Sequence, residues 1–291
     1  MTAKNHKRAT VAGAILGAVL ALLATGLARA QELTEEFHHS YTLAASGAVR
    51  VKNINGGIHI TAWDQNEVKV DAVKRAWSKE KLDEAKIVVE SDPNSIYVWT
   101  QYPEENQNWH SDCGDSGSRC RNNPASVEYT LTVPRNARLD RISDINGGIE
   151  ISGVRGEVSA NSVNGRVRVN GLSAAADVST VNGSVEAAFD RFASSSKVHS
   201  VNGRVAVTLP SDAAAEIQAH SINGSIDNDF GIPVERPRFV GRNLEGRLGA
   251  GGPRLELNTV NGSIEVRHAS DGKPLSTGTS LLPKQHTLAP Y

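Results

Sequence analysis

The sequence predicts an all-β protein: a sheet-rich N-terminal part continues into a parallel β-solenoid with repeats of about 18 to 21 residues, and one short helix is expected. Three observations carry that prediction. First, an apolar β-branched residue, Asn-Gly, one variable residue and a second β-branched residue recur at Asn146, Asn164, Asn182, Asn202, Asn223 and Asn261, at intervals of 18, 18, 20, 21 and 38 residues. A fixed period of this length marks stacked units that share a core. Second, aligning the copies on the Asn gives columns of one character. Ile145, Val163, Val181, Val201, Ile222 and Val260 stand one position before it; Ile149, Val167, Val185, Val205, Ile226 and Ile264 stand three after; Ile151, Val169, Ala187, Val207, Asn228 and Val266 stand five after. These three columns are read as inward, alternating with outward ones as a strand period of two requires. Third, the outward column four after the Asn reads Glu150, Arg168, Glu186, Ala206, Asp227 and Glu265, which puts Arg168 between carboxylates of neighbouring coils and favours in-register stacking.

In chain order, residues 1–30 read as a signal peptide. Lys4, Lys7 and Arg8 make a basic start, Val11 to Leu27 is apolar, and Ala28-Arg29-Ala30 is a small-residue cleavage site before Gln31. A retained membrane anchor is the alternative, and no later stretch approaches the roughly 20 apolar residues that a membrane helix needs. Without those thirty residues the chain has 27 Lys+Arg against 32 Asp+Glu, a net charge of −5. An acidic balance argues against a nucleic-acid partner, which calls for a basic face.

Residues 31–135 form a β-rich region holding all four tryptophans. Alternating pairs such as Val49 and Val51, Ile58 and Ile60, Val68 and Val70, and Ile96 and Val98 read as half-buried strands. Ser78 is placed to cap a helix carrying Glu80, Leu82 and Ala85, and Asp92-Pro93-Asn94 reads as a turn. Asn55-Gly56 is a seventh copy of the repeat phrase, so both halves are expected to share one sheet system. The polar loop from Tyr102 to Asn123 carries the only two cysteines, Cys113 and Cys120, whose expected state in an exported chain is a disulfide. Trp109 and His110 in that loop are candidate contact residues, and the competing reading folds Trp109 back over the sheet edge.

Residues 136–268 are the solenoid region, and 269–291 read as a polar tail. Asn-Gly between β-branched residues commonly signals a two-residue hairpin. A hairpin would pair Val163 with Arg166 and Val201 with Arg204 on one face, and the same mismatch recurs in every copy. A corner in a continuing coil fits better, with Asn or Gly expected in a left-handed conformation at Asn55, Asn146, Asn164, Asn182, Asn202, Asn223 and Asn261. Val154 to Val158 marks a second corner per coil, and Leu244-Glu245-Gly246-Arg247-Leu248 reads as a degenerate copy. The column two before the Asn, Asp144, Ser162, Thr180, Ser200, Ser221 and Thr259, reads as a structural ladder of small polar groups.

Catalytic readings are weak. Gly114-Asp115-Ser116-Gly117 matches a serine-protease phrase without its partners in context. His199 and His220 share a register and are expected on adjacent coils, but their column neighbours Ser179 and Asn258 are poor metal ligands. Glycan hydrolysis needs a carboxylate pair about 5 to 9 Å apart, whereas the outward acids here alternate with Arg, Ser or Ala. No catalytic residue, cofactor or metal is assigned.

The phrases Asn53-Ile54-Asn55-Gly56-Gly57-Ile58-His59-Ile60 and Asp144-Ile145-Asn146-Gly147-Gly148-Ile149, with the later Val-Asn-Gly series, resemble the bacterial adhesin-like domain family over about residues 45–268. That resemblance implies a solenoid-like exported or envelope protein, sometimes linked to envelope stress, and brings no catalytic residues; the cysteine loop lies outside its pattern. The expected function is a non-enzymatic surface for adhesion to, or binding of, an envelope polymer or envelope protein, in the periplasm, at the cell surface or outside the cell. Arg166, Arg168 and Arg204 are further candidate contacts. The alternatives are a stress-linked structural protein without a ligand and a polysaccharide-active solenoid enzyme.

Overall fold

A computed structural model describes residues 32–103, 124–237 and 240–281. The expected signal segment and the positions Trp109, His110, Cys113 and Cys120 lie outside the described residues.

Each copy of the Asn-Gly phrase joins two strands that lie in different sheets. A leading strand runs into the Asn, the chain turns through the Gly, and a trailing strand follows. Val158–Asn164 leads to Val167–Leu172, Ala176–Asn182 to Val185–Phe189, and Ser196–Asn202 to Val205–Leu209. Stacking builds an eleven-stranded leading sheet and a ten-stranded trailing sheet, and within the coils the pairing is parallel and in register. Between them lies one apolar layer. The columns three and five after the Asn fill it, with Val167, Val185, Val205 and Ile264 wholly buried. Both sheets continue through the N-terminal half: Ala48–Lys52 and Ile58–Trp63 form the Asn55 coil and pair directly with the Asn146 coil.

Antiparallel strands close both ends of the leading sheet and the start of the trailing sheet, whose far edge is Ile226–Asn228. Leu33–Thr42, Glu67–Ala76 and Ser126–Pro134 cover the start of the trailing sheet, and a Lys86–Asp92/Ser95–Gln101 hairpin covers the start of the leading one. The hairpin turn is held by Asp92, whose Oδ1 accepts the amides of Asn94 at 2.8 Å and Ser95 at 2.9 Å. The helix Lys79–Glu84 has Ser78 as its N-cap, accepting from the Lys81 amide.

Four expectations are corrected. The column before the Asn does not face inward: Ile145, Val163, Val181, Val201, Ile222 and Val260 are 36–50% exposed, while the hydroxyl column beside it is buried. The alternation runs inward at the hydroxyl and outward at the β-branched residue, and the corner then leaves the Asn outward as well, so parity is not conserved through the turn. No left-handed Asn exists among the described residues; of the corner glycines Gly56 does take the expected positive φ, at 102°, whereas Gly203 is near extended at 158° and Gly147, Gly165, Gly183, Gly224 and Gly262 are not at positive φ. Glycine is required there by closeness instead. A Cβ on Gly165, Gly183 or Gly262 would lie closer than 3.0 Å to the carbonyl oxygen of the glycine in the coil below.

Coil order also departs from sequence order. The leading strand Arg254–Asn261 inserts between Ser196–Asn202 and Ala215–Asn223, and its trailing strand Ile264–His268 inserts likewise between Val205–Leu209 and Ile226–Asn228. The stack therefore runs Asn55, Asn146, Asn164, Asn182, Asn202, Asn261, Asn223, and His199 and His220 are separated by Asn258. Finally, Arg242–Leu248 is not a coil. It runs antiparallel to Ala215–Asn223, because the return needed to reach the insertion point reverses the chain. Residues 278–280, inside the stretch read as a tail, add an antiparallel strand to it.

Candidate functional site

Three ladders meet at the Asn-Gly corner. In the inner one, the hydroxyl two before the Asn donates to a glycine carbonyl of the coil below: Ser162 to Gly147 at 2.9 Å, Thr180 to Gly165 at 2.9 Å, Ser200 to Gly183 at 2.9 Å, Thr259 to Gly203 at 3.1 Å and Ser221 to Gly262 at 3.0 Å. Those hydroxyls are buried, so they serve the stack and present no array to solvent. In the second, the predicted corner asparagines form an unbroken amide chain. Each Nδ2 donates to the Oδ1 of the Asn below, from Asn223 through Asn261, Asn202, Asn182, Asn164 and Asn146 to Asn55, at 2.8–3.1 Å. The third is the exposed β-branched stripe between them.

That stripe borders a groove of about 540 Å³ on the outer face of the leading sheet. Val163, Val181, Val201, Val260 and Ile222 form its apolar side, and Asn161, Ser179, His199, Asn258 and His220 its polar side. No Asp, Glu, Lys or Arg lines it. The polar side is internally bonded: Asn258 Nδ2 lies 3.2 Å from His199 Nδ1, and Asn243 Oδ1 lies 3.1 Å from His220 Nδ1. Sequence reasoning missed this groove. The signal was present in the repeated β-branched residue, but it was assigned to the core.

The outer face of the trailing sheet is charged and self-paired. All three predicted arginines reach Glu186: Arg168 Nε at 2.9 Å, Arg204 Nη2 at 3.6 Å and Arg166 Nε at 4.0 Å. Arg168 also reaches Glu150 at 3.4 Å, as the column pattern predicts. The chain of pairs continues in both directions, through His59 between Glu150 and Glu128, and through Arg204 to Glu265, which also pairs with Arg267. Burial pushes Glu186 up, but the hydrogen bond and charge of Arg168, with the charges of Arg166 and Arg204, outweigh it and hold the carboxyl below its usual range. The same bond raises the Arg168 guanidinium. Among the described residues there is no group of three His, Cys, Asp or Glu side chains placed to hold a metal ion, and no helix is long and apolar enough to cross a membrane.

The fold and its faces define a two-sheet parallel β-stack that meets solvent through repeated columns, with a shallow uncharged groove beside the β-branched stripe. The chain belongs to the Toastrack DUF4097 family, which matches residues 39–267. Among solved structures it is similar to a proposed cell adhesion protein from Clostridium sporogenes ATCC 15579, at 13% identity over 81% of this chain and 100% of that one, with a TM-score of 0.47. It is also similar to a proposed adhesin from Bacteroides fragilis NCTC 9343, at 12% identity over 81% and 97% with a TM-score of 0.39. A proposed lipid binding protein from Parabacteroides distasonis ATCC 8503 matches at 10% identity over 80% and 96%, with a TM-score of 0.28. No curated protein matches.

Proposed function

We propose that this protein is a non-enzymatic, exported binding module of the cell envelope, and that its contact surface is the apolar stripe and groove on the leading sheet. The observation that carries the reading is the stripe itself. Single exposed apolar residues need no explanation, but a contiguous apolar stripe rimmed by polar groups is characteristic of interaction sites. Six coils repeat it although the core is complete without it. The groove carries hydrogen-bonding groups but no formal charge from Asp, Glu, Lys or Arg, which suits an extended, largely uncharged face of an envelope polymer or protein.

The arginines are weaker contacts than the sequence suggests. Arg166, Arg168 and Arg204 share Glu186, so a ligand must compete with a carboxylate already in place. The same pairing supports the non-enzymatic reading, because Glu128, Glu150, Glu186 and Glu265 are each held by His or Arg rather than left as an acid/base pair. Trp109, His110 and the Cys113–Cys120 loop stay in the proposal as a second contact. A purely structural role is the competing reading, favoured by the fact that β-branched residues suit strand positions even when exposed.

The test is retention of the protein on envelope fractions, compared with a Val163→Ser, Val181→Ser, Val201→Ser variant and with a Trp109→Ala variant. Loss of retention by the stripe variant with unchanged circular dichroism supports the groove. Equal retention by wild type and stripe variant rejects it, and no retention by folded wild type leaves the structural reading.

A further inference from the structure

The hydroxyl ladder has one exception. In the Asn146 coil the position two before the Asn is Asp144, which is 2% exposed. Its Oδ1 accepts from the Ile145 amide at 2.7 Å, while Oδ2 is buried without a hydrogen-bond partner. The place of that orphaned oxygen is defined by the glycine beside it. A Cβ on Gly165 would meet Ser162 Oγ and the Gly147 carbonyl oxygen, and one on Gly224 would meet Ser221 Oγ and the Gly262 carbonyl oxygen; in both coils those two atoms are hydrogen-bonded. A Cβ on Gly147 would meet Asp144 Oδ2 and the Gly56 carbonyl oxygen. Asp144 Oδ2 thus occupies the hydroxyl's place, facing the same carbonyl of the coil below. A carboxylate there would set two acceptors against each other in a buried joint. A carboxylic acid would complete the ladder, because the protonated group carries one O–H donor.

We propose that Asp144 is held as a neutral carboxylic acid that donates its proton to the Gly56 carbonyl, and that loss of this proton in neutral to alkaline medium loosens the joint between the Asn55 and Asn146 coils. The surroundings agree. Ser162 of the next coil pairs with Asp144, Asn53 bonds the Gly56 carbonyl and is joined through Thr100 to Tyr129, and Tyr102 and Glu128 bear electrostatically on the carboxyl; Glu128 is itself paired with His59. Thr100 bonds Asn53 and Tyr129, and Tyr102 donates to the Ala125 carbonyl at 2.8 Å, so the neighbouring hydroxyls are engaged elsewhere. Glu128 adds a repulsive charge. Burial is the largest influence on the carboxyl; it outweighs the Ile145 and Asn146 amides and carries the pKa up to about 7. Asn53, at the matching position of the Asn55 coil, supplies the precedent for an uncharged side-chain donor: its Nδ2 donates to Val127 O and to Gly56 O, each at 2.8 Å, so the Gly56 carbonyl takes the Asp144 proton on its second lone pair.

The sign follows from linkage. With the folded pKa above the unfolded one, the acid's contribution is whole below about pH 4, declines as pH rises, and is lost by about pH 7 to 8. The experiment is thermal unfolding of the protein, Asp144→Ser and Asp144→Asn from pH 4.5 to 8.5. Both variants restore a donor without a charge, so each is expected to melt at least about 3 °C above wild type at pH 8, with the gap closing or reversing at pH 4.5. The wild-type Ile145 amide resonance, followed against pH, is expected to titrate with a midpoint near neutrality, and it reports even where a variant fails to fold. Variants no more stable than wild type at pH 8, or an Ile145 amide that titrates with an ordinary carboxylate midpoint near 4, would overturn the proposal.

Discussion

Gly183→Ala is a substitution whose sign the structure decides. Gly183 does not have a left-handed φ, so an L side chain meets no conformational penalty there. In an open site, Gly→Ala would stabilise by about 0.4–1 kcal/mol by restricting the unfolded chain. The site is not open. An added Cβ lies closer than 3.0 Å to both the carbonyl oxygen and the carbonyl carbon of Gly165, and backbone cannot rotate away as a side-chain tip can. The coil must lift, and the joint it lifts from holds the Thr180 bond to Gly165 and the Asn182 amide bond to Asn164. Overpacking costs about 1–3 kcal/mol, and weakening a buried bond about 1 more. The net expectation, after the unfolded-state gain is subtracted, is a loss of about 1–3.5 kcal/mol, a fall in Tm of roughly 2–14 °C for a chain of this size. Gly148→Ser is the control, because a Cβ there meets only the Arg166 carbonyl oxygen at 3.3 Å and the same column carries Ser184, Ser225 and Ser263. Its Tm is expected to stay within about 2 °C of wild type. An alanine at 183 that leaves Tm unchanged or raises it would refute the view that closeness, rather than backbone conformation, fixes glycine at the corner.

The stack order is testable by cross-linking: in a Cys113→Ser, Cys120→Ser background, His199→Cys with Asn258→Cys is expected to form a disulfide on mild oxidation, whereas His199→Cys with His220→Cys, two coils apart at about 9.6 Å, is beyond bridging range; mass spectrometry without reductant reads both. Asn182→Ala removes two amide bonds of the chain and Asn223→Ala one, so denaturant midpoints should fall in that order, by a total of about 1–2 kcal/mol for Asn182. Glu186→Gln is expected to lower stability at pH 7, less so in high salt, and to match wild type as pH falls through the depressed carboxyl range, because a depressed folded pKa contributes stability only above the unfolded value. Leu257→Ala, wholly buried in the inserted coil, should cost about 2–5 kcal/mol in chemical unfolding.

How far the sequence could be read depended on which residues record a constraint locally. Val167, Val185 and Val205 lie inside a strand, where period two holds, and their inward placement was legible. Val163, Val181 and Val201 lie one residue before a turn, and a period carried across a turn is not a period; the stripe was therefore assigned to the wrong side. The Arg168 pairing was legible because adjacent coils are also adjacent in sequence there. Coil order beyond Asn202 was not, because every coil carries the same register and nothing in Asn223 or Asn261 says which of them touches Asn202. The glycines were recognised, but outside Gly56 they were given the wrong reason: a residue without a Cβ reads the same whether the demand is a positive φ or a neighbouring carbonyl.

The insertion of the last coil follows from the same uniformity. Each joint from the Asn146 coil onward uses one hydroxyl-to-carbonyl bond, one amide-to-amide bond and two apolar columns, so the joint between Asn202 and Asn261 is chemically equivalent to one between Asn202 and Asn223 would be. Entering the stack between two coils replaces one such joint with two. The added cost is confined to the connection, and Arg242–Leu248 offsets it by pairing with Ala215–Asn223 and closing the exposed edge of the leading sheet. An exposed edge of repeated strands is a template for further strands, and among the described residues this chain caps both ends of the leading sheet and the start of the trailing one with antiparallel strands, while the far edge of the trailing sheet is the three-residue strand Ile226–Asn228, too short to be a ready template.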